Sequence, residues 1–108
     1  SSIIKEPIPN LLLSIAYRAA FSSVLKVLSK SYAAKEISCI NIAPGPVGTD
    51  RLKNLVNDMD EFSSTLPMKR VGKPEEIGKF IKSIVGEDIK YMTGVTINFD
   101  GGISNYVF

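Results

Sequence analysis

The reactive side chains of this 108-residue chain are few in kind: histidine is absent and cysteine occurs once. Without histidine, neither a Ser-His-Asp relay nor a His-rich metal site can be assembled, and no metal site is expected. The single thiol, Cys39, lies in the apolar run ISCINIA and reads as a small buried hydrophobe rather than a reactive group. The segment best suited to a ligand is APGPVGT, residues 43–49, which follows that run. Pro44-Gly45 after a strand end puts a tight, side-chain-free turn at the carboxyl edge, where open α/β sheets bind ligands. Taken alone, Pro-Gly-Pro is more often a plain surface turn. Thr49 adds a hydroxyl, which can both donate and accept.

The elements that must position these residues follow from breakers and periodicity. Residues 3–9, with two prolines two apart, read as a loop, and Asn10 as the cap of a helix from Leu11 to about Ala34. On that helix Ser22, Lys26, Ser29 and Lys30 share one narrow polar arc. Leu13, Ala16, Ala20, Val24 and Val27 form one apolar stripe, and Phe21, Leu25, Leu28 and Tyr32 a second. The apolar arc is wider than a one-sided surface helix needs, so the helix is expected to be covered on two sides. Ile37 to Ile42 read as a short buried strand. Thr49 or Asp50 can cap a helix through Leu52, Leu55 and Val56. Residues 59–73 read as a loop. Pro74 with Glu75 and Glu76 opens a further helix with an apolar stripe of Ile77, Phe80, Ile81 and Ile84, ending near Gly86. Val95 to Phe99 is the second strand.

Two strands separated by helices indicate parallel crossovers in an α/β protein. A two-stranded parallel sheet has uncovered faces and open edges, so strands beyond these are expected, and residues 1–108 alone are not expected to form a stable monomer. The start at Ser1, without Met and within what looks like a strand end, points the same way, to a missing front end.

Composition narrows the function classes. Net charge is +2, from 13 basic and 11 acidic residues, and the basic residues are scattered, which argues against nucleic-acid binding. No apolar run reaches the ~20 residues of a membrane span, and no secretory signal is seen. A soluble, reducing, cytoplasmic setting is the expectation.

Four segments, in order, carry a resemblance to a known family. They are SS at residues 1–2, RAAFSSVLKVLSKSYA, ISCINIAPGPVGTD, and PMKRVGKPEEIGKFIKSIV followed by YMTGVTINFDGG. Together they span essentially the whole chain, which resembles the C-terminal half of the short-chain dehydrogenase/reductases, and within them the 3-oxoacyl-(acyl-carrier-protein) reductases. The resemblance implies the C-terminal portion of a Rossmann-type doubly wound parallel sheet, with residues 1–108 as half of one domain and the dinucleotide-binding N-terminal half absent from this chain. It implies an NAD(P)-dependent oxidoreductase that moves a hydride between NAD or NADP and a small carbonyl or alcohol. It also implies a homodimer or homotetramer, with the long helix packed on its own copy. In the family, the backbone at Val47 and the hydroxyl of Thr49 bond the nicotinamide carboxamide, and Pro44 and Gly45 shape that loop.

The chain departs from the family where the chemistry is centred. The family's Tyr-x-x-x-Lys pair, aligned through RAAF, falls on Ser14 and Arg18. A Ser hydroxyl is a far weaker acid than a phenol, whose reference pKa is about 10. Ser14 cannot simply act as the proton donor near neutral pH. Arg18 keeps a positive charge and can bind ribose hydroxyls, but a guanidinium is not interchangeable with an ammonium. Tyr17 is offset around the helix and reads as an aromatic in the apolar arc. The family's active-site Ser corresponds to Ser1 by spacing and to Ser2 by local pattern. Two functional readings follow: an oxidoreductase whose proton transfer uses an atypical group or a positioned water, and a dinucleotide-binding member with lost or weak catalysis that serves as a binding or assembly subunit.

Overall fold

The computed structural model describes residues 8–105, and for residues 8–15 the backbone alone. The element order is helix α1 (Ile8–Tyr32), a 3-10 turn (Ala33–Lys35), strand β1 (Ile40–Pro44), helices α2 (Asp50–Leu55), α3 (Met59–Ser64) and α4 (Pro74–Gly86), and strand β2 (Val95–Phe99). Strands β1 and β2 pair with each other. Gly94 N–H donates to Cys39 O at 2.8 Å at one end, and Gly45 N–H to Phe99 O at 3.0 Å at the other, so the two strands run parallel. This is the mixed, parallel α/β arrangement expected from strands separated by helices.

The described residues fall into two compact units. One holds Ala43–Ile81 and 98–105; the other holds 8–42 and Lys82–Ile97. In the first, Val56, Phe62 and Leu66 are buried together, with Leu52, Met59 and Val71 packed against them. Phe80 and Phe99 stack with ring centroids 5.5 Å apart.

In the second unit, the polar arc of α1 is the face that meets the strand residues. Asn41 Nδ2 donates to Ser22 Oγ at 2.9 Å, and Lys26 Nζ to Gly94 O at 2.8 Å. Ser29 is 3% exposed, the one buried polar residue among those described. Gly94 makes this approach possible: its φ is +68°, and a Cβ there would lie 2.6 Å from Ser29 Oγ. The apolar arc, expected to be covered, is open in this chain: Phe21, Val24 and Val27 are 59%, 57% and 65% exposed.

Four local expectations are corrected. The helix begins at Ile8 rather than after Asn10. Pro9 fits there because first-turn N–H groups have no intrahelical acceptor to lose. The helix ends at Tyr32, and a 3-10 turn closes it through Glu36 in the left-handed region. The strand begins at Ile40, not Ile37. Cys39 N–H donates to Thr93 Oγ1 and Ser38 Oγ to Lys90 O, so side-chain bonds replace the ladder there. Within 59–73, residues 59–64 form α3, capped by Asp58, whose Oδ1 accepts from Asp60 N and Glu61 N. Among the described residues, no helix is long and apolar enough to cross a membrane, and no group of three or more acidic, Cys or His side chains could hold a metal ion.

Candidate functional site

The loop after β1 is held from two sides within its unit. Gly45 sits where a side chain is excluded: a Cβ would lie 2.8 Å from the Cα of Asp100. The end of β2 therefore packs directly on the turn, with the Gly45 amide bonded to Phe99 O. Asp100 fastens the turn that follows β2. Its Oδ1 accepts from Gly102 N, and its Oδ2 from the Ser104 amide and hydroxyl. The Ser104 hydroxyl first, and then the backbone N–H groups, hold the Asp100 carboxyl below its ordinary value.

From the other side, Val47 forms an isolated parallel bridge with Gly72. Gly72 N–H donates to Pro46 O at 2.8 Å and Gly48 N–H to Gly72 O at 2.9 Å. When one residue bonds both neighbours of its opposite number, that opposite residue turns its own N–H and C=O the other way. The Val47 peptide groups therefore face away from Gly72; its carbonyl accepts from Thr49 N at 2.7 Å. Thr49 is the N-cap of α2, its Oγ1 accepting from Leu52 N at 3.3 Å. Among the described residues no acceptor takes the hydroxyl proton, which can therefore donate. An exposed O–H beside an outward-facing peptide suits a planar amide that both donates and accepts.

The partner of this loop is anchored in turn. Arg70 Nη1 and Nη2 donate to Glu76 Oε1 and Oε2 at 2.7 and 3.2 Å. Glu76 Oε1 also accepts from Lys73 N at 3.1 Å. The Arg70 guanidinium, then the Lys73 amide, hold the Glu76 carboxyl below its usual range, and the same hydrogen bond raises Arg70. A cavity of about 310 Å³ opens beside Pro46, Met68, Arg70, Asn98 and Asp100. It lies at the small end of the range for small-molecule sites.

Of the residues singled out from sequence, Pro44 closes β1, and Gly45, Val47 and Thr49 lie in the loop that follows it. Arg18 belongs to the other unit and is exposed on α1. Ser14 lies on the same helix four residues earlier, its side chain outside the described residues, as are Ser1 and Ser2 altogether. Sequence reasoning missed Gly72, Arg70 and Glu76. Their signal was present in RVGKPEE: a Glu three residues beyond the residue that precedes a helix is the spacing of a capping box.

Comparison with known proteins gives the following. A family model described as enoyl-(acyl carrier protein) reductase matches residues 1–104. A glucose 1-dehydrogenase of Gluconobacter oxydans is 33% identical over 93% of this chain and 39% of its own length. A 3-oxoacyl-(acyl-carrier-protein) reductase of Chlamydia trachomatis is 36% identical over 82% of this chain and 37% of its own. Among solved structures, YwfH, an NADPH-dependent reductase involved in bacilysin biosynthesis, superposes with a TM-score of 0.73 at 30% identity, covering 82% of this chain and 38% of that one. The chain thus spans about two fifths of the length of the relatives it matches.

Proposed function

Because this chain belongs to the short-chain dehydrogenase/reductase family, we propose that it is the C-terminal half of a Rossmann-type NAD(P)-dependent oxidoreductase domain, acting on a small carbonyl or alcohol. The observation that carries this reading is the loop at 44–49. It turns the Val47 peptide outward beside the Thr49 hydroxyl, with Gly45 kept free of a side chain. Those groups fit the carboxamide of a nicotinamide ring, the group that supplies hydride when bound. Thr49 would donate to it and the Val47 backbone would pair with it, orienting the ring when it is bound. Arg18 binds ribose hydroxyls as a fixed cation. Ser14, with Ser1 or Ser2, orders a water or the substrate oxygen instead of acting as a phenolic acid. In the resembled family the dinucleotide's phosphates are held by the N-terminal half of the domain. The exposed apolar arc of α1 is covered by that half and by a second copy of the protein.

The expected behaviour is carbonyl-dependent oxidation of NADH or NADPH by the intact protein, slower than in relatives that carry the Tyr-Lys pair. The Ser14 and Arg18 substitutions favour one second reading, a member that binds the dinucleotide but barely turns it over. Saturable binding without carbonyl-dependent oxidation would select that reading. Absence of both would reject the two together.

A further inference from the structure

The bridge between Val47 and Gly72 is one residue long. Among the described residues no ladder continues it on either side, so on the side away from β2 the backbone at 46–48 is held through Gly72. Gly72 has no side chain with which to anchor itself. Val71 before it packs against the buried cluster, and Arg70 and Lys73 to either side are bonded to one carboxylate. On one side Arg70 grips both oxygens of Glu76; on the other, the Lys73 amide bonds Glu76 Oε1. Arg70 Nη1 further donates to Val71 O at 3.1 Å, which folds the guanidinium against the segment it holds. Glu76 stands on the first turn of α4, and its own amide donates to Lys73 O at 2.9 Å. An unbroken path therefore runs from the end of a regular helix, through one carboxylate, to Gly72 and on to the Val47 peptide.

We propose that the Arg70–Glu76 pair is a positioning clamp for the nicotinamide carboxamide: it fixes Gly72, and through Gly72 the register of Val47 and Thr49. This rests on the reading of the 44–49 loop given above. The pair touches no substrate itself. Its side chains are 42% and 37% exposed, and exposed pairs contribute little to global stability. The effect of breaking it is therefore local placement. Placement matters for the reaction, since a misplacement of about 1 Å costs up to about 10²-fold in rate.

The test uses the intact protein with Glu76→Gln, Arg70→Met and the conservative Arg70→Lys, which keeps charge but loses the fork. Two readouts are taken. The first is amide hydrogen exchange at Gly48 and Gly72, the two donors of the bridge. The second is affinity for NADH or NADPH beside affinity for ADP-ribose or its 2′-phosphate, which lack the nicotinamide. The expected result is exchange faster by about threefold to fivefold at Gly48 and Gly72 in Glu76→Gln and Arg70→Met, the upper worth of an exposed ion pair. Nicotinamide dinucleotide affinity falls by about fivefold or more. ADP-ribose affinity stays unchanged, and Arg70→Lys lies between. Unchanged exchange at Gly48, or equal weakening of both ligands, overturns the clamp and leaves the pair a structural one. If Glu76→Gln does not fold, the two Arg70 variants give the same decision. A wild type that binds neither ligand overturns the nicotinamide reading and the clamp's role toward it. Faster Gly48 exchange in the variants would then still register the backbone linkage, so the two failures are told apart.

Discussion

Gly94→Ala is expected to destabilise the protein by about 2–3 kcal/mol. Gly94 holds φ +68°, a region that costs an L-residue about 1–2 kcal/mol. The added Cβ would lie 2.6 Å from Ser29 Oγ and 3.3 Å from Ser29 Cβ. The hydroxyl can rotate away only by giving up its bond to Lys26 O, 2.7 Å long, a further loss of about 1 kcal/mol. The Gly94 amide and carbonyl, bonded to Cys39 O and Lys26 Nζ, prevent the segment from backing off without breaking those contacts. Against a typical stability of about 5–15 kcal/mol the change is large. Urea unfolding of the intact protein should show a lower midpoint with an unchanged slope. Gly78→Ala is the control. Gly78 lies inside α4 with nothing within 4 Å of an added Cβ, so alanine there should stabilise by about 0.5–1 kcal/mol. A Gly94→Ala loss within about 0.5 kcal/mol, the range of neutral surface changes, would refute the reasoning. So would two variants that shift in the same direction.

Three further outcomes are expected. The Glu76 and Asp100 carboxyls lie below their ordinary values of 4.5 and 3.8 in the folded chain, so the folded state binds fewer protons than the unfolded one. Their contribution is complete above those values and is lost as pH falls through the lower folded ones. Midpoints measured against pH should therefore drop on the acid side, and less steeply in Glu76→Gln and Asp100→Asn. Restoring the family pair with Ser14→Tyr and Arg18→Lys should raise carbonyl reduction, toward the ~10²–10⁴-fold of general acid catalysis, and Ser14→Tyr alone should raise it less. An unchanged rate in the double variant would reject the alignment of Ser14 with the family's Tyr. Phe21→Glu, on the open arc of α1, should lower the elution mass of the intact protein, and an unchanged mass would place that stripe inside one protomer.

The long elements were legible because their signals are redundant. The α4 helix carries Pro74 at its start, acids in its first turn and a repeating apolar stripe; β2 is bounded by glycines; Thr49 caps α2 as its type suggests. The short α3 was not legible. Six residues with one buried side chain, Phe62, are too few for a period to show, and only Asp58 marks the start. The strand start at Ile37 was misplaced because hydrophobicity cannot reveal that Thr93 Oγ1 takes the Cys39 amide. The α1 helix misled in a different way. A narrow polar arc ordinarily faces water, yet here Ser22, Lys26 and Ser29 meet the backbone and side chains of the strand segments, while Phe21, Val24 and Val27 stand exposed. In the site, the loop itself was readable from Pro-Gly and Thr. Its anchor was only partly so: RVGKPEE carries the capping-box spacing, but the bonds from Gly72 to Pro46 and Gly48 exist only in three dimensions.

The most direct test of the central claim is a titration of the intact protein with NADH and NADPH, followed by nicotinamide fluorescence, in wild type, Thr49→Ser and Thr49→Val. Saturable binding of at least one dinucleotide is expected, retained in Thr49→Ser and weakened by about fivefold or more in Thr49→Val, which loses the hydroxyl donor. Both variants should remain folded, with Thr49→Val less stable by about 1 kcal/mol for its lost helix cap. Absence of saturable binding in the wild type, or identical affinity in Thr49→Val, would contradict the assignment of the 44–49 loop to the nicotinamide carboxamide.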